Sequence, residues 1–498
     1  MKRALGWMAA HPLAVLLPLQ ALLLFWRLNL LSPWFDEADT LLFMRGPLGP
    51  AIAIPASGLH PPLYFLVLWC WMRLPLGLSW TIQARTLSVL FTLCATFAAD
   101  RLWARRFSQR AHWCFLTLWA FSPFLLLYGR MSRSYSLQLL IGVTALAAIV
   151  LFEKQRSRRA FAVLTAFLIV ALYTHYVPGA ALLTAANVAL LRRGRWRDAA
   201  AVDTLCALAM APWMVWLIPQ LQTWSSHHVS YALTGGAATE IVFKLAYWSM
   251  SFTLGEAIAD PVLISGAIIV PLTLLLALAG ARRNGKLALI ALAAAAVGFL
   301  GVTKWVAYPF IPARMIFFFP LFLTFFTEGA VSHRRVGTIS FLALLITSLS
   351  GIWCYFHLQG FRNKQYPLPM DQIATRIRTT SDLLHPAILV DESNSDIIGL
   401  RFALDGEVPL LGTRDPQVFS TLSSWLTDPA IHTIWFLRNT HDVSAEHLDE
   451  QFEERLSVGS RVTRFDYERF TPLELRLMHA LRMTNPPEYF HQLIEFQR

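Results

Sequence analysis

Apolar runs long enough to cross a bilayer recur from about residue 10 to residue 356, parted by short turns rich in Lys and Arg. A hydrocarbon core offers no water to backbone polar groups, so runs of this kind must be helices that satisfy their own hydrogen bonds. Composition agrees: 56% of the 498 residues are hydrophobic and 15% charged, whereas a soluble domain is roughly 45–50% apolar. Met1-Lys2-Arg3 and the apolar stretch from His11 to Leu31 have the outline of a signal peptide. No small-residue cleavage site follows at a suitable distance, and the stretch is long enough to span, so it reads as an uncleaved first helix.

Charge sets the expected topology. With a cytoplasmic N-terminus, the first helix ends outside near Leu31, and the polar, Pro- and Gly-bearing segment from Ser32 to Gly58 reads as an external loop. Residues 61–78 are apolar but short, opened by two prolines and broken by Arg73 and Pro75, which suits a helix lying along the interface. If they do not cross, the next span delivers Arg101, Arg105, Arg106 and Arg110 to the cytoplasm, and Lys154–Arg159, Arg192–Arg197, Arg282–Lys286 and Arg334–Arg335 follow. If they do cross, those clusters flip outward, against the positive-inside bias. The expectation is therefore about 11 transmembrane helices, near 10–31, 84–104, 111–128, 135–152, 160–176, 178–192, 199–219, 261–281, 286–303, 314–331 and 336–356, with a second interfacial helix between Glu240 and Leu254. No internal repeat of the transporter kind is evident.

The net charge of +11 hides a split: residues 1–356 carry 28 Lys and Arg against 11 Asp and Glu, and residues 357–498 carry 14 against 20. Because the basic residues sit between apolar spans, they speak for topology and not for nucleic acid, which is not expected as a partner. The second part, 357–498, reads as a small α/β domain, with strands in 387–392, VPLLG and 432–438, and helices in NSDIIGLRFAL and AEHLDEQFEERL. An odd number of spans puts it outside. The five cysteines, Cys70, Cys94, Cys114, Cys206 and Cys354, lie in apolar segments without C-x-x-C spacing, which indicates neither zinc nor a disulfide framework.

The outer face then gathers unusual groups. Trp34-Phe35-Asp36-Glu37-Ala38-Asp39-Thr40 places three carboxylates just past a membrane helix, where charge is costly. The bland reading is an acidic helix start, with Asp36 capping a short interfacial helix through Met44. His60 precedes Pro61-Pro62 and Tyr64. Arg130 and Arg133 lie in an outer turn before Tyr135, against the charge rule, and either anchor to headgroups or bind a phosphate. His175 and Tyr176 sit at the outer end of the fifth helix, Lys304 and Arg314 flank an outer loop, and His227-His228 follow helix seven. Cations on one membrane face beside carboxylates suit an anionic amphiphile.

WFDEADT, HPPLYFLVLWCW, QARTLSVLFTL (which contains Arg85), SPFLLLYGRMSRSYSL and LYTHY, in this order and spacing, resemble bacterial family-39-like membrane glycosyltransferases of the GT-C superfamily, relatives of protein O-mannosyltransferases and lipid A aminoarabinose transferases. The likeness covers about residues 30–180 and, more loosely, Pro312–Arg314. It implies a multi-pass enzyme of the bacterial inner membrane, facing the periplasm, that transfers a hexosyl or pentosyl group from a polyprenyl-phosphate-sugar donor to a glycan, lipid or protein acceptor. The family's first-loop acidic pair falls on Asp36-Glu37, and its helix-three turn places Arg133 and Tyr135 on matching positions. Met131 stands where an acid is usual, which leaves open whether Asp36, Glu37 and Asp39 hold a divalent cation such as Mg or Mn.

The expected chemistry is one inverting displacement, with Asp36 taking the acceptor proton, Glu37 orienting it, and Arg133, Arg314, Lys304 and Arg130 holding the departing phosphate. His60, Tyr64, Arg85, Tyr135, His175 and Tyr176 are candidates for substrate contact. The rivals are a transporter or flippase of an anionic lipid-linked glycan, a lipid-linked glycan polymerase or ligase, and an inactive scaffold. Against transport, Asp100, Glu153, Asp203 and Glu328 fall near the expected cytoplasmic ends and not at the midplane.

Overall fold

A computed structural model describes residues 10–226, 237–304, 311–380, 387–391, 396–406, 408–440, 446–480 and 488–498. The chain divides into two compact units. One holds the residues up to Leu28 together with Phe43–Gln359, and the other holds Asn29–Leu42 together with Gly360–Arg498.

In chain order the helices are α1 (Pro12–Phe25), α2 (Phe35–Met44), α3 (Leu48–Ser57), α4 (Leu63–Met72), α5 (Trp80–Ala98), α6 (Gln109–Ala120), α7 (Pro123–Tyr128) and α8 (Tyr135–Lys154). They continue with α9 (Arg158–Thr174), α10 (Tyr176–Leu191), α11 (Trp196–Ser226), α12 (Ala237–Leu254), α13 (Asp260–Arg283), α14 (Gly285–Lys304), α15 (Phe319–Ser332) and α16 (Arg334–Phe356). Side-chain caps start several of them: Ser79, Ser108, Ser122 and Ser157 accept from the backbone N–H of Ile82, Ala111, Leu125 and Ala160. Each satisfies one of the donors a helix start leaves open.

Helix is found at each of the eleven expected positions. Among the described residues, six stretches are long and apolar enough to cross a membrane: Trp80–Arg106, Tyr135–Lys154, Trp196–Gln220, Asp260–Arg283, Pro312–Ser332 and Arg334–Phe356. The protein is multi-pass in the coarse sense that several helices have membrane character. The two expected interfacial segments are helical as α4 and α12. The segment from Ser32 to Gly58, expected as a loop with a short helix through Met44 as the alternative, holds α2, which matches that helix, and α3. Pro47 only precedes the first turn of α3, where a missing N–H costs nothing, and Pro55 falls in its last turn.

Small residues set the packing of the first unit. A Cβ on Gly329 of α15 would stand 1.9 Å from the Leu276 carbonyl oxygen of α13, and one on Gly280 would stand 2.0 Å from that of Phe325. Backbones this close need glycine, the small-residue contact typical of membrane helices. Buried hydroxyls join other helices: Thr96 donates to Gln20 Oε1 at 2.7 Å and accepts from Trp119 Nε1 at 2.8 Å.

The second unit is a sheet between helices. Its strands β1 (Ile388–Val390), β2 (Leu411–Gly412), β3 (Thr433–Asn439), β4 (Arg461–Arg469) and β5 (Tyr489–Gln497) lie in the order β2-β1-β3-β5-β4. The first three are parallel; β5 is antiparallel to both β3 and β4. Alternation sorts the side chains: Trp435, Leu437 and Leu493 join one core with α17 (Met370–Thr380) and α18 (Asp396–Ala403). Ile434, Phe436, Ile494 and Phe496 join the other with α19 (Val418–Thr427) and α20 (Glu446–Ser457). Burial on both faces makes this the α/β arrangement expected. The strands β4 and β5, α17, α19 and a last helix, α21 (Pro472–Ala480), were not foreseen. Ser32 donates to Asp371 Oδ2 at 2.9 Å and accepts from the Asp371 N–H at 3.2 Å, and Trp34 meets Tyr366 edge-on at 5.2 Å, so the 29–42 segment belongs to this unit's core.

A buried ionic triad sits where β4, β5 and α18 meet. His491, wholly buried, contacts Glu468 Oε2 through Nδ1 at 3.0 Å and Asp396 Oδ2 through Nε2 at 3.1 Å. Burial alone would lower the imidazole, but the two carboxylates outweigh it and raise it to about 10.

Candidate functional site

Four sequence candidates from four distant parts of the first unit come together. His60 stands in the turn between α3 and α4, Arg133 in the turn before α8, His175 between α9 and α10, and Arg314 in the tight 3-10 turn Pro312–Phe318 that leads into α15. Arg133 Nη2 approaches His60 Nε2 at 3.5 Å. A guanidinium can only donate, so Nε2 is the acceptor and the His60 proton rests on Nδ1. His175 caps α10, its Nδ1 accepting from the Val177 N–H at 3.3 Å, which leaves its proton on Nε2.

Both imidazoles are neutral. Burial pushes His60 well below its ordinary value, and Arg133, His175 and Arg314 push it further. Arg314 and Arg133 face His175 as well, and its Nδ1 is held as an acceptor by the Val177 N–H. Two guanidiniums thus share a half-buried corner with two neutral N–H donors. Arg314 Nη1 is buried without a hydrogen-bond partner among the described residues. Such a donor is costly unless an acceptor arrives. The arrangement can hold a tetrahedral dianion or spread charge as it develops.

Other candidates are placed elsewhere. Arg130 donates to the carbonyls of Trp26 at 2.9 Å and Arg27 at 2.6 Å and lies 5.2 Å from the centre of the Tyr355 ring. Arg85, buried, donates to the Leu28 carbonyl at 3.1 Å. These two arginines hold the last carbonyls after α1, where a helix C-terminus favours cations. Tyr64 is buried beside Phe65, and Tyr135 meets Tyr128 edge-on at 5.5 Å. The Tyr176 hydroxyl accepts from Trp213 Nε1 at 2.6 Å. Lys304 ends α14 with its side chain outside the described residues, and His227 and His228 lie outside them altogether.

In the second unit, Asp36 and Glu37 occupy the first turn of α2, a favourable place for negative charge. Asp36 lies inside that turn and does not cap it; Thr40 donates to its carbonyl at 2.8 Å. Glu37 is buried and Asp39 half-buried. Among the described residues no group of three or more His, Cys, Asp or Glu side chains is placed to hold a metal ion.

Sequence reasoning passed over Glu256. This buried carboxylate, in the turn between α12 and α13, accepts from Tyr128, from Ser251 at 2.8 Å and from Tyr247 at 2.9 Å. Burial raises it, and the three hydroxyls oppose that. The signal was present in Leu254-Gly255-Glu256, an acid bracketed by apolar segments, which in a membrane chain demands a partner.

Comparison with known proteins is decided by structure alone. No protein-family model and no curated protein matches the sequence. The chain superposes on ArnT of Cupriavidus metallidurans, a lipid A aminoarabinose transferase, with a TM-score of 0.59 at 13% identity, over 99% of this chain and 98% of that one. The same enzyme bound to undecaprenyl phosphate gives 0.56 at 14% identity over 98% of each. An oligosaccharyltransferase of Archaeoglobus fulgidus, in complex with Zn and sulfate, gives 0.50 at 10% identity over 85% of this chain and 67% of that one. The chain shares the fold of these enzymes. At these identities the likeness concerns architecture, and the GT-C fold is shared over nearly the whole length of ArnT, C-terminal unit included.

Proposed function

We propose that this chain is a glycosyltransferase that moves a sugar from a polyprenyl-phosphate carrier to an acceptor outside the cytoplasmic membrane by a single inverting displacement. The observation that carries the reading is the convergence of Arg133 and Arg314 with neutral His60 and His175. In a displacement at the anomeric carbon, negative charge grows on the departing phosphate. Two guanidiniums and two N–H donors fixed beforehand stabilise that charge without reorganising. Neutral imidazoles suit the task, since they donate without a proton equilibrium near physiological pH. The undecaprenyl phosphate bound by the ArnT of matching fold supports a lipid phosphate as the anion.

The acceptor hydroxyl must lose a proton as it attacks. We assign that proton to Asp36, with Glu37 beside it, on the family pattern WFDE and on the chemistry of a carboxylate as base. The charge rule supports a topology of about eleven spans, with the C-terminal unit (residues 357–498 on the sequence boundary) in the periplasm of an inner-membrane protein. The test is transfer of radiolabelled sugar from membrane polyprenyl-phosphate-sugars by purified wild type, Arg133→Ala and Asp36→Asn. Wild type releases label from the carrier, Arg133→Ala binds carrier weakly, and Asp36→Asn binds it normally without turnover. Intact lipid moved across vesicles without loss of label would replace this reading with transport.

A further inference from the structure

A groove of about 450 Å³ opens at the opposite, basic end of the first unit. It lies between the start of α6, the end of α15 and the start of α16, where a Cβ on Gly337 would stand 1.9 Å from the Ala330 carbonyl oxygen. Its wall is apolar and partly aromatic, formed by Trp113, Cys114, Ala330, Val331 and Phe341. At its mouth stands exposed Arg110, one N–H of which donates to Thr338 Oγ1 at 2.6 Å; Thr338 in turn donates to the Arg334 carbonyl at 2.6 Å. That chain of bonds fixes the guanidinium over an apolar trough while using one of its five N–H groups.

We infer that this groove seats an anionic glycerophospholipid, its acyl chain against Trp113 and Phe341 and its phosphate on Arg110. The volume lies within the roughly 300–1,000 Å³ of ligand pockets. Charge complementarity favours the anionic over the zwitterionic lipid. The same end carries Arg105, Arg106, Arg334 and Arg335, all exposed, and Arg282 and Arg283, which end α13 beside its Gly280–Gly329 crossing with α15. Of the carboxylates at this end, Asp100 is buried against His112, Arg101 and Arg105, and Glu328, half-buried near the end of α15, accepts from Asn284 and faces Arg283. Basic pockets between membrane helices select anionic headgroups by this balance. The inference needs only the membrane character of the unit and stands apart from the transferase reading.

The experiment uses full-length protein in mild detergent with phosphatidylglycerol or phosphatidylcholine carrying a photoreactive acyl chain. Retained lipid is counted by native mass spectrometry, and crosslinks are mapped by peptide. Phosphatidylglycerol is expected to label peptides holding residues 109–114 and 337–341, and Arg110→Ala to weaken its retention about tenfold, the worth of a charge-assisted contact. Arg282→Ala, on the same end but off the groove wall, is expected to retain it. Equal retention of both lipids, or labelling spread evenly around the helices, would overturn the inference. Displacement of bound phosphatidylglycerol from these peptides by undecaprenyl phosphate would overturn it too, by handing the groove to the carrier.

Discussion

Replacing His491 with Leu should loosen the edge of the C-terminal sheet more than any exposed substitution. In the wild type an imidazolium lies wholly buried between Asp396 and Glu468, at 3.1 and 3.0 Å. Leu fills most of the volume but leaves two buried carboxylates facing each other without the imidazolium between them. Breaking a buried ion pair from one side costs about 3–5 kcal/mol. A loss of about 3 kcal/mol raises local opening roughly a hundredfold. The direction with pH follows from the same geometry. Folding raises His491 from 6.5 to about 10, so its stabilisation is complete below pH 6.5 and is lost as pH rises through 10. Burial also raises Glu468, an effect on the acid limb, where Asp396 repels it and His491 and Lys364 draw it back. The assay is amide exchange in the full chain, read on the peptide Tyr489–Gln497 and corrected for intrinsic rate. Protection should fall steadily between pH 7 and pH 10 in wild type. In His491→Leu it should be low and flat, and His491→Gln, which keeps hydrogen bonds without charge, should lie between. Unchanged protection in His491→Leu, or a wild-type profile flat to pH 10, would refute the reasoning.

Gly329→Val sets a side chain against the Leu276 carbonyl and should cost about 3 kcal/mol, seen as earlier unfolding in a thermal scan in detergent; Gly49→Val, with nothing within 4 Å, is the control. Arg314→Ala should weaken undecaprenyl-phosphate binding about 10- to 100-fold by calorimetry, and Arg314→Lys should recover part of it as a point charge lacking the guanidinium fork. Glu256→Leu strands the hydroxyls of Tyr128, Tyr247 and Ser251 at about 1–3 kcal/mol for a buried unsatisfied group, whereas Glu256→Gln should come close to wild-type thermal stability.

Much of the architecture was legible because hydropathy and charge are properties of segments. Each expected long helix contains a helix, and the segments 61–78 and 240–254 are helical as α4 and α12. The sheet was half legible. Ile388–Val390 and the run Ile434–Leu437 within β3 are parallel, buried and continuously apolar, so they announce themselves. Strand β5 does not, because Tyr489–Gln497 interrupts its apolar residues with His491, whose partners Asp396 and Glu468 are remote in sequence. Strand β4, Arg461–Arg469, is an edge strand whose outward charges hide its alternation. Within the site, local motifs named His60, Arg133, His175 and Arg314, and only the fold could bring them together. The same motifs also named Arg85 and Arg130, since sequence reports a guanidinium without saying what it faces. Glu256 went unread for the converse reason: its three hydroxyl donors come from α7, α12 and the end of α12, and no local pattern joins them.

Arg85 and Arg130 each spend N–H groups on the carbonyls of Trp26, Arg27 and Leu28, so the protein's own backbone anchors them in place. Counting arginines in the sequence therefore overstates the number that a ligand meets. The number of counter-ions released when a lipid phosphate docks, read from the slope of log affinity against log salt, should correspond to Arg133 and Arg314 and not to all four. A titration in ionic strength thus separates arginines that brace the fold from those that meet the ligand.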